Sequence, residues 1–284
     1  DQNRTFIKVS PLGMESEDSL VWISSDHDDK ECIIQETRAS VVLCDRSLLT
    51  YDLPNDKSFL LVDDPRLVFA RILRTFFRTE LGTGTDSSAV VHPQASIGKD
   101  SWIGPLTIIG HSSIGTNCQI HGNVTIYDDV EIGNNVAIHS GTVLGADGFG
   151  FVTNQLEELE KIEHIGNLTI GNDVEIFANV VISKGTLGTT SIGNGAKINN
   201  NVHIGHNVSI SDNVAIGVGV TICGSSTIGM NSWIAPGAIV RDGVSIGSGS
   251  VLGMGSVLTR DMPAAETWVG VPAAFMKSST TSPW

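Results

Sequence analysis

Residues 191–229 read SIGNGAKINNNVHIGHNVSISDNVAIGVGVTICGSSTIG, and in this stretch an aliphatic residue returns every six positions. Neither an α-helix, with a period of 3.6 residues, nor a simple strand, with a period of 2, predicts a step of six. A triangular coil does, because each turn then has three short strands and each strand places one aliphatic side chain inward. Such coils stack at the inter-strand spacing of about 4.8 Å, so the core is a column. The sequence therefore predicts a parallel β-helix.

The six-residue step extends well beyond the quoted stretch, in two runs. The aliphatic positions are Ile192, Ile198, Ile204, Ile210, Ile216, Ile222, Ile228, Ile234, Val240, Ile246, Leu252 and Leu258 in the later run, and Ile108, Ile114, Ile120, Ile126, Ile132, Ile138 and Leu144 in the earlier one.

Two interruptions break the repeat. The ladder stops between Leu144 and Ile165, so residues 146–164 are predicted to form a loop extruded from the coil. Between Ile182 and Ile192 the step is ten, which predicts a shorter excursion over residues 184–190. Loops expelled from a repeat scaffold usually carry the binding surface, so we expect one here.

The N-terminal segment has no six-residue repeat. Residues 41–43 and 59–62 are predicted as buried strands, and residues 65–78 as a helix capped by Asp63 or Asp64 with Pro65 in its first turn. We therefore predict a small α/β domain over residues 1–86, a β-helix over 87–262 and a short C-terminal tail over 263–284.

Composition excludes several classes of protein. A net charge of −14 disfavours binding to nucleic acid or to an anionic membrane surface. No run of about 18 apolar residues is present, so no membrane span is predicted. The first residues, Asp1-Gln2-Asn3-Arg4, lack the apolar core of a signal peptide, and the four scattered cysteines suggest reduced thiols. These features favour the cytoplasm.

One pair of histidines is close in sequence. His203 and His206 flank the ladder residue Ile204, so both are predicted to face outward near a corner of the coil. An imidazole, with a reference pKa of about 6.5, suits a general base for acyl transfer to an amine or hydroxyl. Gly224 lies one 18-residue coil beyond His206, where its backbone N–H could stabilise an oxyanion. A solvent-facing role remains the alternative for either histidine, and more so for His203.

A second pair of histidines is related by the coil repeat. His121 and His139 are 18 positions apart and should stack, but no third ligand accompanies them, so no metal site is predicted. We expect His139 to face the substrate beside the loop of residues 146–151. No Gly-x-Ser-x-Gly motif or catalytic cysteine context supports a covalent nucleophile.

These motifs resemble a known family, the UDP-3-O-(3-hydroxyacyl)glucosamine N-acyltransferases of lipid A biosynthesis, within the hexapeptide-repeat acyltransferases. The resemblance covers about residues 5–272. It rests on these segments: His139-Ser140-Gly141, Gly145-Ala146-Asp147-Gly148-Phe149-Gly150-Phe151, His203-Ile204-Gly205-His206-Asn207-Val208, Glu36-Thr37-Arg38-Ala39-Ser40 and Asp64-Pro65-Arg66-Leu67.

The resemblance implies a fold, an assembly and residue roles. It implies a left-handed coil, a homotrimer with active sites between neighbouring coils, and no bound cofactor, with acyl carrier protein or a CoA thioester as acyl donor. The base is then His206, with the backbone amide of Gly224 beside it and Trp22 stacking on the uracil of a nucleotide sugar. The predicted catalytic residues are His206, Gly224 and His203. The predicted substrate-binding residues are Trp22, His139, Asp147, Phe149, Phe151 and Asn207.

Three departures separate this chain from the family pattern. The second active-site histidine of the family falls on Gly243, and the family's Ile-Asp-Arg-Gly stretch reads Ile182-Ser183-Lys184-Gly185. The segment after Pro272 contains no long helix pair for holding an acyl carrier protein. The acyl donor and the acceptor sugar are therefore left open.

Three other functions stay open at this stage. The first is an acetyl-CoA-dependent O- or N-acetyltransferase of the same scaffold acting on a small acceptor. The second is a non-catalytic β-helix scaffold. The third is a β-helix carbonic anhydrase, which would need three zinc-binding histidines across two subunits.

Overall fold

The computed structural model describes residues 5–79 and 81–279, so residues 1–4 and the end of the tail, 280–284, lie outside the described residues. The chain divides into two compact units, residues 1–80 and 81–284. The boundary between the units therefore lies several residues before the predicted one near residue 86. Its physical cause is the strand Gly84–Thr85, which pairs with Trp102–Ile103 and therefore belongs to the coil.

The first unit is a small α/β domain, as predicted. Its parallel sheet contains, in spatial order, β1 (Lys8–Val9), β2 (Ser19–Trp22), β3 (Val41–Asp45) and β4 (Ser58–Val62). The helices are α1 (Lys30–Glu36), a 3-10 turn (Arg46–Thr50), α2 (Pro65–Ile72) and a π-helical turn (Leu73–Phe77).

The predicted cap of α2 is confirmed. The Leu67 backbone N–H donates to the Asp64 carboxylate at 2.9 Å, and Pro65 occupies the first turn, where its missing N–H costs nothing. The helix changes to a π-helical turn at Leu73, so the predicted end at residue 78 is nearly reached by two helical segments rather than one.

The second unit is a three-sided parallel β-helix, which confirms the main prediction. The eight-stranded sheet contains Ser96–Ile97, Ser113–Ile114, Val130–Ile132, Asn167–Ile170, Thr189–Ile192, Ser209–Ile210, Thr227–Ile228 and Ser245–Ile246. The eleven-stranded sheet contains Gly84–Thr85, Trp102–Ile103, Gln119–Ile120, Ala137–Ile138, Glu175–Ile176, Lys197–Ile198, Ala215–Ile216, Trp233–Ile234, Val251–Leu252, Glu266–Val269 and Ala274–Ser278. The nine-stranded sheet contains Val90–Val91, Ile108–Ile109, Thr125–Ile126, Val143–Ala146, Val181–Ser183, His203–Ile204, Thr221–Ile222, Ile239–Val240 and Val257–Leu258.

The repeat keeps the inward aliphatic side chains in register. Ile204 pairs with Ile222 and Ile222 with Val240, each 18 positions on, and their side chains are fully buried. Most corners of the coil turn through a residue with positive φ, where Asn, Asp and Gly are tolerated best. Corner side chains also form ladders between coils; for example, Asn117 donates to Asn135 at 2.8 Å.

The structure contradicts the predicted inward placement of two ladder residues. Ile108 is half exposed and Ile109 fills the core, because the corner that follows is one residue shorter than the others and the next inward residue is Ile114. Ile165 is also exposed, and the coil resumes with Leu168 and Ile170 in the core.

The predicted separate tail is also corrected. Glu266–Val269 pairs with Val251–Leu252 and continues the eleven-stranded sheet, and Ala274–Ser278 folds back antiparallel on it. Trp268 and Ala273 are buried in the same core as the coil, so these residues cap the β-helix.

Both predicted excursions leave the coil at one corner. The long excursion, residues 147–166, runs from the nine-stranded strand Val143–Ala146 to the eight-stranded strand Asn167–Ile170. It contains an antiparallel hairpin of Phe151–Thr153 with Leu159–Lys161. The short excursion, residues 184–188, joins Val181–Ser183 to Thr189–Ile192 one coil later.

No helix within the described ranges is long and apolar enough to cross a bilayer. The four cysteines are free thiols.

The column core predicts a sharp contrast within one strand. Ile228→Ala should lower the free energy of unfolding by about 2–5 kcal/mol, because Ile228 is 1% exposed between Ile210 and Ile246 and its removal leaves a cavity. Thr227→Ala, on the outer side of the same strand, should change it by less than about 0.5 kcal/mol. Urea unfolding at fixed protein concentration measures both, and equal losses would contradict the inward ladder.

Candidate functional site

His206 lies at the corner from which the excursions leave, one coil after the short excursion. It follows strand His203–Ile204, and its half-buried ring has Nδ1 at 3.0 Å from Asn207 Oδ1. The Thr186 backbone N–H also donates to that oxygen, at 3.1 Å, which identifies the oxygen as an acceptor. The His206 proton therefore sits on Nδ1 and leaves Nε2 with a free lone pair.

Asn207 is both the turn residue of this corner and the partner of the imidazole. Its φ of 59° is the left-handed conformation that asparagine tolerates, and its N–H donates to the Thr190 Oγ at 2.8 Å. The short excursion packs against the side-chain amide of Asn207, since a Cβ on Gly185 would lie 3.1 Å from Asn207 Nδ2. These contacts fix the position of Asn207, which in turn orients His206.

Gly224 occupies the same corner one coil later, as predicted. A Cβ at residue 224 would lie 2.8 Å from His206 Nε2 and 2.7 Å from Cε1, so only glycine leaves room for the ring. Within the described residues, the Gly224 N–H donates to no other group, whereas the next amide, of Ser225, donates to the His206 carbonyl at 2.8 Å. The corner therefore presents a free donor beside a free imidazole nitrogen.

The structure brings to this site one histidine that the sequence analysis missed. His164, from the end of the long excursion, is 4% exposed, and its ring centre lies 5.4 Å from that of His206 at an interplanar angle of 73°. Gly148 packs against both rings, because a Cβ there would lie 2.8 Å from His164 Nε2 and 2.7 Å from His206 Cδ2. No spacing rule connects residues 164 and 206, so only the path of the excursion reveals the contact.

Asp147 anchors the long excursion by charge. Its carboxylate accepts from Lys161 Nζ at 2.5 Å and lies 4.0 Å from Lys184 Nζ. The hydrogen bond from Lys161, together with the charges of Lys161 and Lys184, holds the pKa of Asp147 below its ordinary value. Lys184, where the family has arginine, therefore still places a cation next to this aspartate.

The two predicted phenylalanines lie further out. The rings of Phe149 and Phe151 pack on each other with centres 4.9 Å apart, and Phe149 is 86% exposed. They form an exposed apolar surface on the excursion.

Within a single chain, His139 does not lie beside the loop of residues 146–151, contrary to the prediction. His139 follows strand Ala137–Ile138 and lies at the corner between the eleven- and nine-stranded sheets, one side of the triangle away from the excursions. There its ring stacks between His121 and Phe177, with centre distances of 4.5 and 4.9 Å. Burial and the neighbouring His139 lower the pKa of His121. The cause of the displacement is the coil itself, since a residue's corner is set by which strand it follows.

Two other predicted residues are placed as follows. His203 faces outward and is exposed on the nine-stranded sheet, in register with Val181 and Thr221. Trp22 ends β2 in the first unit, half-buried, with its indole stacked on Phe69 at a centre distance of 5.5 Å.

A cysteine also lies next to this corner, directly before Gly224. Burial, with the nearby charge of Asp242, raises the pKa of Cys223 beside Gly224, which keeps it a thiol at neutral pH. Among residues 5–79 and 81–279, no group of three or more His, Cys, Asp or Glu is arranged to hold a metal ion.

Comparisons with known proteins agree with the predicted resemblance. A family profile described as bacterial transferase hexapeptide (six repeats) matches residues 94–126, 111–146 and 225–260. The chain is 36% identical over 191 residues to a UDP-3-O-acylglucosamine N-acyltransferase of Coxiella burnetii, covering 58% of this chain and 54% of the relative. It is 39% identical over 165 residues to the enzyme of that name from Pseudomonas syringae, covering 49% and 45%. The chain thus spans about half the length of the curated relatives it matches.

Solved structures give the same fold. A UDP-N-acetylglucosamine O-acyltransferase from Moraxella catarrhalis superposes with a TM-score of 0.64 at 26% identity, covering 69% of this chain and 75% of the other. The UDP-N-acetylglucosamine acyltransferase of Francisella novicida gives 0.62 at 27% identity, covering 68% and 69%. The left-handed β-helix and the resemblance to hexapeptide-repeat N-acyltransferases are confirmed.

The hydrogen bonds of Asn207 predict the tautomer of His206. In the native protein near pH 8 the ring should carry its proton on Nδ1, and Asn207→Ala should shift it towards the Nε2–H form, because the acceptor is lost. Two-bond ¹H–¹⁵N NMR correlations distinguish the forms. Asn213→Ala, at a corner without histidine, is the matched control. An Nε2–H ring in the native protein would show that the assigned orientation is incorrect.

Proposed function

We propose that this chain is an N-acyltransferase that moves an acyl group from a thioester, on acyl carrier protein or CoA, to the amino group of a UDP-linked amino sugar, as in lipid A or surface polysaccharide synthesis. The observation that carries the proposal is the free Nε2 of His206 beside Gly224, whose N–H donates to no group among the described residues. The relatives, named UDP-3-O-acylglucosamine N-acyltransferases, support this acceptor. The free thiols favour the cytoplasm as the compartment.

The proposed reaction balances with these two groups. The acceptor amine attacks the thioester carbonyl while His206 Nε2 takes one of its protons, so a C–N bond forms and negative charge collects on the carbonyl oxygen. The Gly224 N–H donates to this oxyanion. The intermediate then collapses, the C–S bond breaks, and the proton on His206 returns to the leaving thiolate.

We assign the nucleotide to the first unit through Trp22. Its indole is rigid, packed on Phe69 and partly exposed, which suits a stacking platform for a uracil ring. Asp147, Phe149, Phe151 and Asn207 are proposed to contact the substrate from the excursion corner.

A homotrimer is proposed because one face of the coil is apolar on its outside. The outward positions of the nine-stranded sheet are Val90, Ile108, Thr125, Val143, Val181, His203, Thr221, Ile239 and Val257. Those of the eight-stranded sheet are Ser96, Ser113, Glu131, Thr169, Ser191, Ser209, Thr227 and Ser245. An exposed β-branched surface beside a hydroxyl-rich one indicates that the first is covered in the assembly.

The proposed trimer also gives His139 a place in the site. Because His139 and His206 lie at different corners of one coil, His139 can face the substrate only from a neighbouring copy. The stack of His121, His139 and Phe177 would then form the opposite wall of the site.

O-acyl transfer is the second candidate. The solved structures with the same coil include a UDP-N-acetylglucosamine O-acyltransferase, and an imidazole base serves a hydroxyl as well as an amine. Matched UDP-sugar acceptors with an amino or a hydroxyl group at the reacting carbon would separate the two activities.

Replacing the base tests catalysis itself. His206→Ala should lower kcat by about 10²–10⁴-fold, the usual contribution of a general base, without loss of fold. His203→Ala should cost much less, since its side chain lies on the nine-stranded sheet in register with Thr221 and not at the corner beside Gly224. Acyl transfer from acyl carrier protein and from acyl-CoA is assayed for each. If neither variant is impaired, the protein is a scaffold or its chemistry lies elsewhere.

Mixed assemblies test whether the site is shared. His206→Ala and His139→Ala should each be impaired alone, but equal co-expression should restore about one quarter of the sites, those with both residues intact at one interface. Sedimentation equilibrium should show a trimer. No recovery in mixtures, or full activity of His139→Ala alone, would contradict a site completed by a second copy.

A further inference from the structure

His164 is buried with an unsatisfied nitrogen next to the proposed base. Its Nδ1 lies 3.0 Å from the Ile162 carbonyl oxygen, which can only accept, so Nδ1 carries the proton in the neutral ring. Its Nε2 is buried and has no hydrogen-bond partner among the described residues. Burying a polar atom without a partner is unfavourable, so the role of this nitrogen calls for an explanation.

That nitrogen and the ring of His206 border the same small space beside Gly148. The position that a Gly148 side chain would occupy is 2.8 Å from His164 Nε2 and 2.7 Å from His206 Cδ2. In the Nδ1–H tautomer, Nε2 is the negative end of the imidazole dipole. His164 therefore presents partial negative charge to the ring of His206 in a place that water does not reach, where electrostatic effects are strong.

The same geometry excludes other roles for His164. Its Nδ1–H is held by a backbone carbonyl, so the ring cannot pass a proton onward. Its Nε2 is covered by Gly148, so it does not meet the substrate in this arrangement. What remains is an electrostatic influence on the neighbouring ring.

The position of the family's second histidine offers no alternative source of an imidazole. Gly243 is the turn residue two coils after Asn207, with φ of +67° and open space in the direction of a side chain. His164 instead supplies the second imidazole of this corner.

We propose that His164 is a positioning residue whose neutral Nε2 stabilises the imidazolium formed on His206 when that base takes the amine proton. The catalytic part of this inference rests on the proposed function, whereas the contact between the two rings does not. Other titratable groups lie around this corner. On the excursions, Lys161 pairs with Asp147 and Glu163, and Lys184 lies near Asp147; on the following coils are Cys223 and the pair of Arg241 with Asp242.

The test compares His164→Phe, which keeps a flat ring without a lone pair, with His164→Gln, which restores an acceptor. The titration midpoint of His206 is followed by NMR, and the pH profile of kcat/KM is measured with a UDP-linked amino sugar. His111→Phe is the matched control, because His111 pairs with His92 at a similar ring distance of 5.6 Å on coils remote from residue 206.

In His164→Phe the midpoint of the His206 titration should move to lower pH, since the protonated ring loses its stabilising neighbour. The acid limb of kcat/KM should move with it, and kcat should fall about tenfold with little change in KM, the pattern of a contact that strengthens in the transition state. His164→Gln should recover most of both effects, and His111→Phe should match the native protein.

An unmoved or raised midpoint in His164→Phe would overturn the proposal. So would a native spectrum in which His164 carries its proton on Nε2 near pH 8, a measurement that needs no variant to fold. If the midpoint moves as expected but no acyl transfer is found with any UDP-amino sugar, the proposed function fails while the coupling of the two rings stands.

Discussion

The rest of the structure depends on one constraint, that each side of the coil advances six residues and buries one aliphatic side chain. Stacked coils must keep these side chains in vertical register, because the column has no other core. Any additional residues must therefore leave at a corner. Both large insertions leave at the corner between the nine- and eight-stranded sheets, and the site assembles there.

The site combines residues of the regular coil with residues of the non-repeating excursions. His206, Asn207 and Gly224 belong to the regular coil, so their spacing is set by the repeat. Asn207 meets two demands at once, because the corner needs a residue that accepts positive φ and the imidazole needs an acceptor. Gly224 likewise has two roles. Its lack of a side chain lets the His206 ring approach closely, and its own N–H stays available as a hydrogen-bond donor.

The excursions supply a shell around these coil residues. The short excursion donates from Thr186 to Asn207, and the long excursion presses Gly148 and His164 against His206. The two excursions also bind each other, since the Ile165 N–H donates to the Thr186 carbonyl at 2.8 Å. A change in either loop would therefore reach the base without touching the coil.

The sequence by itself determined the β-helix, the places where the coil is interrupted, and the stacking of Gly224 on His206, because all of these follow from a repeat that is visible as spacing. It placed Ile108 incorrectly because the step from Ile109 to Ile114 is only five, so counting back by six from Ile114 selects Ile108. It placed Ile165 and the tail incorrectly because a non-repeating loop and a closing hairpin do not follow the six-residue step. The different corner of His139 also follows from the spacing, because His139 comes after Ile138 and the long excursion comes one step later, after Leu144. Only the tertiary structure decided that His164 lies beside His206. The contact between His164 and His206 depends on the path of a non-repeating loop, whose long-range packing is not encoded by any local period.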